Sequence, residues 1–185
     1  MDQSNLAKRL ANLSPAKRAI LEQRLKYRSP EGSSQRTIPS RTSFDSAPLS
    51  FAQQRLWSLD QLEPGTSVYN VPRAFHISGL LDVAILEKSI NEVVRRHEAL
   101  RTTFSILEEQ PVQIIAPSLG LSLPVVDLID YPEREREAEA LRLDNKEARR
   151  PLDLHRGPLV RVALLRLAYD DHILLLTMHH IVSDG

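Results

Sequence analysis

The residues best suited to chemistry lie at the C-terminal end of this 185-residue sequence, in the run His179-His180-Ile181-Val182-Ser183-Asp184-Gly185. A neutral imidazole can accept a proton from a reacting amine, because the usual pKa of histidine is about 6.5 and that of an α-amino group about 7.7–8.0. The run follows an apolar stretch, residues 173–178, that indicates a buried strand. Successive strand side chains face opposite ways. We therefore expect one histidine to act in chemistry and the other to be packed or hydrogen-bonded behind it.

Several other chemistries are disfavoured by composition and spacing. The sequence has no cysteine, so disulfides, a thiolate nucleophile and a cysteine zinc site are excluded. Adjacent strand histidines diverge and no Cys/His spacing suits zinc, so we expect no metal site. There is no Gly-x-Ser-x-Gly motif and no phosphate-binding loop, so the sequence supports neither a serine nucleophile nor a nucleotide site. Lys and Arg total 24 against 24 Asp and Glu, and this balance argues against nucleic acid as a partner.

The N-terminal residues and the length of the apolar runs bear on the cellular compartment. Met1 is followed by Asp2 and Gln3 rather than by a basic region and an apolar core, so no signal peptide is visible. The longest apolar run, near Ile173, is too short to span a bilayer. We expect a cytoplasmic protein that does not bind membranes.

The sequence divides into three parts. Residues 1–27 predict two short helices, the second capped by Ser14-Pro15; they form either a docking element or a solubilising extension. Residues 28–47 are polar and broken by Pro and Gly, which predicts a flexible linker. Residues 48–185 predict the folded domain. Because a histidine at the end of a core strand needs structure beyond it, we expect this to be the front portion of a longer protein.

Residues 48–185 predict an α/β domain, with a mixed sheet flanked by helices and the short helical extension ahead of it. Central strands covered on both faces are apolar throughout. The predicted elements are a helix after Ser50, a strand at Ala74–Ser78, a helix capped by Asp82, a strand pair at Thr102–Ile106 and Val112–Ile115, a strand at Leu123–Leu128, a charged helix from Pro132 to about Arg149, and a hairpin of Leu159–Leu167 with Ile173–His180.

Three stretches carry a family resemblance. They are the terminal His-His-x-x-x-Asp-Gly, the segment Arg96-His97-Glu98-Ala99-Leu100-Arg101-Thr102-Thr103-Phe104, and the segment Ser50-Phe51-Ala52-Gln53-Gln54-Arg55-Leu56-Trp57-Ser58-Leu59. In order and spacing, each resembles a signature of the condensation domains of nonribosomal peptide synthetases. The connecting segments Tyr69-Asn70-Val71-Pro72 and Gly157-Pro158-Leu159 match as well.

This resemblance implies a chloramphenicol-acetyltransferase-like fold of two lobes, of which residues 48–185 are the N-terminal lobe. The active site then lies in a tunnel shared with a missing C-terminal lobe. The implied reaction joins two carrier-bound thioesters through an amide bond. The implied partners are upstream and downstream peptidyl carrier proteins and adjacent synthetase domains. The resemblance implies that no cofactor is bound directly, because the substrates are attached to the phosphopantetheine arms of the carrier proteins. The Ala-Gln-x-Arg-Leu-Trp form implies the subtype that joins two L-residues.

The resemblance also assigns residue roles. His180 matches the catalytic histidine, which positions the amine and secondarily accepts its proton, and His179 is its packed or hydrogen-bonded neighbour. Asp184 is expected to form a structural ion pair with an arginine, and Gly185 to let the chain pass close to substrate. Three arginines are assigned structural or tunnel-lining roles: Arg101, Arg55 and Arg161.

Two other functions stay open from the sequence. One is a related acyltransferase that forms an ester or an N-acyl bond, and the other is a catalytically inert fragment that docks a carrier protein. We expect residues 1–185 to be inactive alone, because half of the tunnel is absent.

Overall fold

The computed structural model of the chain describes residues 46–183. The predicted extension at residues 1–27 and most of the predicted linker at residues 28–47 lie outside the described residues. So do Asp184 and Gly185. Within the described part, the predicted α/β fold class is confirmed. Helices alternate with strands along the chain, and they cover a sheet whose strands pair in both parallel and antiparallel fashion.

The strands of residues 46–183 form two separate sheets. The larger sheet has the order β2-β7-β6-β5, with β2 at Asn70–Ser78, β5 at Val125–Asp127, β6 at Val160–Ala168 and β7 at Asp171–His179. Strand β5 runs parallel to β6, and the other neighbours are antiparallel. The two apolar strands of the predicted hairpin therefore occupy the centre of the sheet.

The smaller sheet has the order β1-β4-β3, with β1 at Ser46–Pro48, β3 at Thr102–Leu107 and β4 at Gln110–Ile115. The sequence predicts the β3–β4 pair but not its separation from the larger sheet. It also assigns residues 46 and 47 to the linker, and this is wrong, because both lie in β1 and pair with β4. A three-residue strand containing proline has too little periodicity to be recognised locally.

Three helices within the described residues cover the sheets: α1 at Phe51–Leu62, α2 at Val83–Arg96 and α3 at Glu133–Arg149. Helix α1 begins with a capping box, in which Ser50 and Gln53 satisfy each other's backbone N–H groups. Helix α2 begins where the Asp82 carboxylate accepts from the Ile85 amide. Both starts agree with the sequence, because capping is a local property.

The two faces of the larger sheet are covered by different helices. Val94 of α2 packs with Val160 and partly buried Met178 on one face. Ala140 of α3 packs with Leu165 and Leu175 on the other. A third apolar cluster joins the smaller sheet and α1 to the turn after β7: its members are Leu49, Phe104, Leu152, Leu154, Leu159, Ile181 and Val182, with Leu56 and Trp57 packed against them.

Candidate active site

The histidine pair sits where β7 ends. The sequence predicts that the strand continues through His180, but it stops at His179, and residues 180–182 form a 3₁₀ turn. The backbone of the pair is held from both sides, because His179 N–H donates to the Leu159 carbonyl at 2.9 Å and His180 N–H donates to the Tyr69 carbonyl at 2.8 Å. The turn is also anchored below, since Ile181 is buried in the apolar cluster under α1.

His179 is a buried imidazole that ends the strand. Its Nδ1 accepts the Ile181 amide hydrogen at 3.1 Å, so the ring caps the 3₁₀ turn and in its neutral form carries its proton on Nε2. Burial, with a smaller contribution from the charge of His180, lowers the pKa of His179 to about 4. The side chain is therefore neutral at pH 7. The residue is 1% exposed. This geometry gives His179 a structural task.

His180 is exposed, in contrast to its neighbour. Its Nδ1 lies 2.9 Å from the Ser183 carbonyl oxygen. A carbonyl oxygen can only accept, so Nδ1 carries the hydrogen, and in the neutral ring Nε2 keeps a free lone pair. The turn thus selects the tautomer whose free nitrogen can accept a proton or a hydrogen bond.

His180 lines three open pockets. The β2 pocket, about 310 Å³, extends to Val71 and Met178. The turn pocket, about 300 Å³, lies between Gln53 and the 3₁₀ turn. The α1 pocket, about 350 Å³, runs along Leu56 and Leu59. Molecules can therefore approach the ring from more than one direction.

The three arginines to which the sequence assigns structural or tunnel-lining roles have different surroundings in the structure. Arg55 is exposed and lines the α1 pocket beside His180, so it does not pack into the core. The side chain of Arg101 donates to the Ala116 carbonyl and pairs with Glu98 at 3.6 Å, and these contacts brace the smaller sheet. Neither contact involves a histidine.

Arg161 takes the structural role of the two that the sequence allows. Its guanidinium donates to the carbonyls of Glu147, Arg150 and Pro151 at 2.7–3.0 Å, and its Nε pairs with the Glu147 carboxylate at 3.3 Å. These carbonyls close the C-terminal end of α3, where backbone acceptors lack partners within the helix. Arg161 therefore fastens α3 to the sheet.

Three residues near the histidines have roles that the sequence does not predict. Gln53 Nε2 donates to the Ile181 carbonyl at 3.3 Å and so links α1 to the turn. The Tyr69 ring lies 6.2 Å from that of His179, between centroids. Asn70, opposite His179 in the sheet, donates to the carbonyls of Ala148 and Arg150. All lie in motif segments, which is the signal that could have found them.

Two kinds of site receive no support within residues 46–183. No group of three or more His, Cys, Asp or Glu side chains in this part is arranged to hold a metal ion. None of the helices described there is both long and apolar enough to cross a membrane.

The fold and the histidine turn define a class of protein. The condensation domain family model matches residues 44–185, and the chain belongs to this family. The expected relation to nonribosomal peptide synthetases is thereby confirmed.

Two curated relatives illustrate the match. The chain is 46% identical over 182 residues to phosphinothricin tripeptide synthetase PhsC of Streptomyces viridochromogenes, covering 98% of this chain and 17% of that protein. It is 45% identical over 141 residues to chondramide synthase cmdD of Chondromyces crocatus, covering 76% of this chain and 4% of that protein. The chain thus spans a small part of each relative.

Solved structures agree with the sequence relatives. The starter condensation domain of rhizomide synthetase RzmA superposes with a TM-score of 0.68 at 30% identity, covering 76% of this chain and 33% of that one. The first condensation domain of the CDA synthetase gives 0.67 at 27% identity, covering 75% and 36%. The chain therefore spans about one third of these solved chains.

Proposed function

We propose that the chain forms the N-terminal lobe of a condensation domain that joins two carrier-bound thioesters through an amide bond. The observation that carries this proposal is the His180 ring, whose Nδ1–H is committed to Ser183 while Nε2 is left open beside three pockets. The donor and acceptor arrive on phosphopantetheine arms of upstream and downstream carrier proteins. Both carriers and the adjacent synthetase domains are cytoplasmic.

In the proposed reaction, the acceptor amine attacks the donor thioester carbonyl. A C–N bond forms, the C–S bond breaks, and the donor's sulfur leaves as a thiolate, which receives from His180 the proton that the amine has lost. His180 Nε2 holds the amine in line and accepts the proton that it loses. Orienting two reactants is worth roughly 7–11 kcal/mol, whereas general base catalysis contributes about 10²–10⁴-fold. Positioning is therefore the larger part of the role.

A second lobe completes the site. Exposed apolar side chains on α1 and in the segment that follows it support this, because Phe51 is 90%, Leu62 78% and Val68 74% exposed. Exposed apolar patches of this kind mark interaction surfaces. The chain spans about one third of the solved starter condensation domain of RzmA. We expect residues 1–185 alone to form no amide.

The test uses a completed domain, defined as residues 44–185 joined to the remainder of the condensation domain that they match in PhsC. Donor and acceptor carriers are loaded with amino acids, and the product is identified by mass spectrometry. We expect a dipeptide on the acceptor carrier, its formation slowed by roughly 10²-fold or more after His180→Ala, and unchanged carrier loading in both. A folded completed domain that forms no amide, or a His180→Ala variant that keeps the full rate, overturns the proposal.

Two substrate comparisons refine it. An acceptor carrying a hydroxyl in place of the amine separates amide formation from ester formation, and we expect only the amine to react at a useful rate. Donors of L- and D-configuration test the subtype. The Ala52-Gln53-x-Arg55-Leu56-Trp57 segment supports a preference for the L-donor. Faster reaction of the D-donor would refute that assignment while leaving amide formation intact.

A further inference from the structure

Arg73 supplies the charge of the β2 pocket. The described residues that line this pocket are Val68, Tyr69, Asn70, Val71, Arg73, Met178, His180 and Ser183. Arg73 is the only Lys, Arg, Asp or Glu among them. A cavity of about 310 Å³ is the size of a small-ligand site, in which a few placed polar groups set orientation and specificity. The cation is therefore placed where it can select what enters.

The Arg73 guanidinium lacks an anionic partner within residues 46–183. The hydrogen bond described for its side chain runs from Nη1 to the carbonyl of its neighbour Pro72 at 3.3 Å. No ion pair between described residues includes it, although Arg95, Arg142 and other exposed arginines pair with carboxylates. A guanidinium offers five donors in a planar fork that matches a carboxylate. Most of these donors are available to a ligand.

Strand register gives the distance between Arg73 and the histidines. Asn70 lies opposite His179, and Arg73 lies three residues further along β2. At about 3.3 Å per residue, the Cα levels of Arg73 and His179 are roughly 10 Å apart along the strand. His180, whose N–H donates to Tyr69, lies one residue further from Arg73. A carboxylate two or three carbons from the reacting centre fits this separation when the arginine side chain reaches toward it. The phosphodiester of a phosphopantetheine arm does not, because it lies at the far end of the arm from the thioester.

We propose that Arg73 selects substrates with an anionic side chain on the amino acid or peptide that occupies the β2 pocket beside His180. This inference rests on the proposed function and adds the substrate class to it. The carboxylate belongs either to the donor or to the acceptor, and the chemistry of recognition is the same for both.

A different role for Arg73 makes a different prediction. Strand β2 is an edge of its sheet, and charged side chains on edge strands hinder aggregation. Glutamate would serve that purpose as well as arginine. Arg73→Glu therefore separates the two roles, since it keeps a charge on the edge but repels an anionic substrate.

The experiment uses the completed domain and pairs of substrates that differ in charge but not in shape, Glu against Gln. One series varies the donor and the other varies the acceptor. The variants are Arg73→Gln and Arg73→Glu, with Arg95→Gln as the control, since Arg95 is an exposed arginine of α2 that does not line the pocket. The quantity measured is the ratio of kcat/KM for Glu to that for Gln.

In one of the two series, we expect wild type to favour Glu by about tenfold or more, as for hydrogen bonds to a charged group. Arg73→Gln should abolish the preference, Arg73→Glu should reverse it, and Arg95→Gln should retain it. The series that responds identifies donor or acceptor. If wild type forms amides but shows no Glu preference, or if Arg73→Gln keeps it, the inference is overturned while the proposed function stands. An equal loss for Glu and Gln, seen only with substrates that carry the phosphodiester, also overturns it.

Discussion

The Nδ1–H of His180 donates to the carbonyl oxygen of Ser183, three residues ahead, at 2.9 Å. This bond fixes both the orientation of the ring and the nitrogen that carries its hydrogen. The same turn buries Ile181 beneath α1 and uses the His179 ring as its cap. One short segment thus divides the two histidines into a structural group and an accessible base.

Replacing His180 by asparagine tests these two functions of the ring separately. The amide of the introduced asparagine keeps a donor for the Ser183 carbonyl but offers no group at the position of Nε2. If Nε2 acts in the reaction, His180→Asn should slow amide formation about as much as His180→Ala does, by roughly 10²-fold or more. Single-turnover rates of the completed domain measure this. Recovery of activity in His180→Asn would assign the ring to holding the turn.

The stability of the chain should depend on the titration of His179. Its pKa is lowered from 6.5 to about 4 in the folded state, so the unfolded chain binds the proton more readily. The stabilisation that comes from the neutral His179 ring is fully present above pH 6.5 and decreases as the pH falls towards 4. Below that pH it does not change further. The difference amounts to about 3 kcal/mol. Urea unfolding at several pH values in this window measures it.

The control for that measurement is His179→Asn. The asparagine Oδ1 lies where Nδ1 lies and still accepts the Ile181 amide, but it does not titrate. Carboxylates elsewhere respond to pH equally in both proteins. Between pH 7 and 4.5, the free energy of unfolding of the wild-type chain should therefore fall by about 2–3 kcal/mol more than that of His179→Asn. Parallel pH profiles would contradict the low pKa.

Gln53 should position the histidine turn from α1. Its Oε1 accepts from Ser50 N–H in the capping box, while its Nε2 donates to the Ile181 carbonyl. Gln53→Glu keeps the first contact and places an oxygen against the Ile181 carbonyl and against Gln113 Oε1, to which Nε2 also donates at 3.1 Å. We expect normal helix stability but amide formation slowed by roughly tenfold, with a larger effect on kcat than on KM, because the ring is displaced and the pockets remain. An unchanged kcat would show that the turn needs no support from α1.

Arg161 should contribute to stability rather than to the reaction. Arg161→Met removes a donor from the carbonyls of Glu147, Arg150 and Pro151 and the closer of two arginine partners from the Glu147 carboxylate, which keeps Arg150 at 3.6 Å. We expect a loss of roughly 3 kcal/mol in the free energy of unfolding, as for breaking a buried pair. Glu147→Gln keeps the carbonyl contacts and should cost less than about 1 kcal/mol. Equal losses in the two variants would place the stabilisation in the ion pair alone.

Much of the fold follows from local signals. The start of α1 at Ser50 and that of α2 at Asp82 can be predicted because a cap and its helix are adjacent in the chain. The hairpin of β6 and β7 is recognised by two apolar runs and a short turn. The turn between β3 and β4 is tighter than predicted, at Glu108 and Glu109, since both adopt positive φ values that their residue types do not signal.

The sequence by itself determined the family and the place of the histidine pair at the end of a buried strand, because motifs and apolar runs are properties of neighbouring residues. Only the tertiary structure decided that the strand ends at His179 and the chain turns at His180, that β1 pairs with β4, and that Arg73 shares a pocket with His180. These relationships join residues distant in the chain. Their register is set by packing and backbone pairing across the sheets, which no local pattern records.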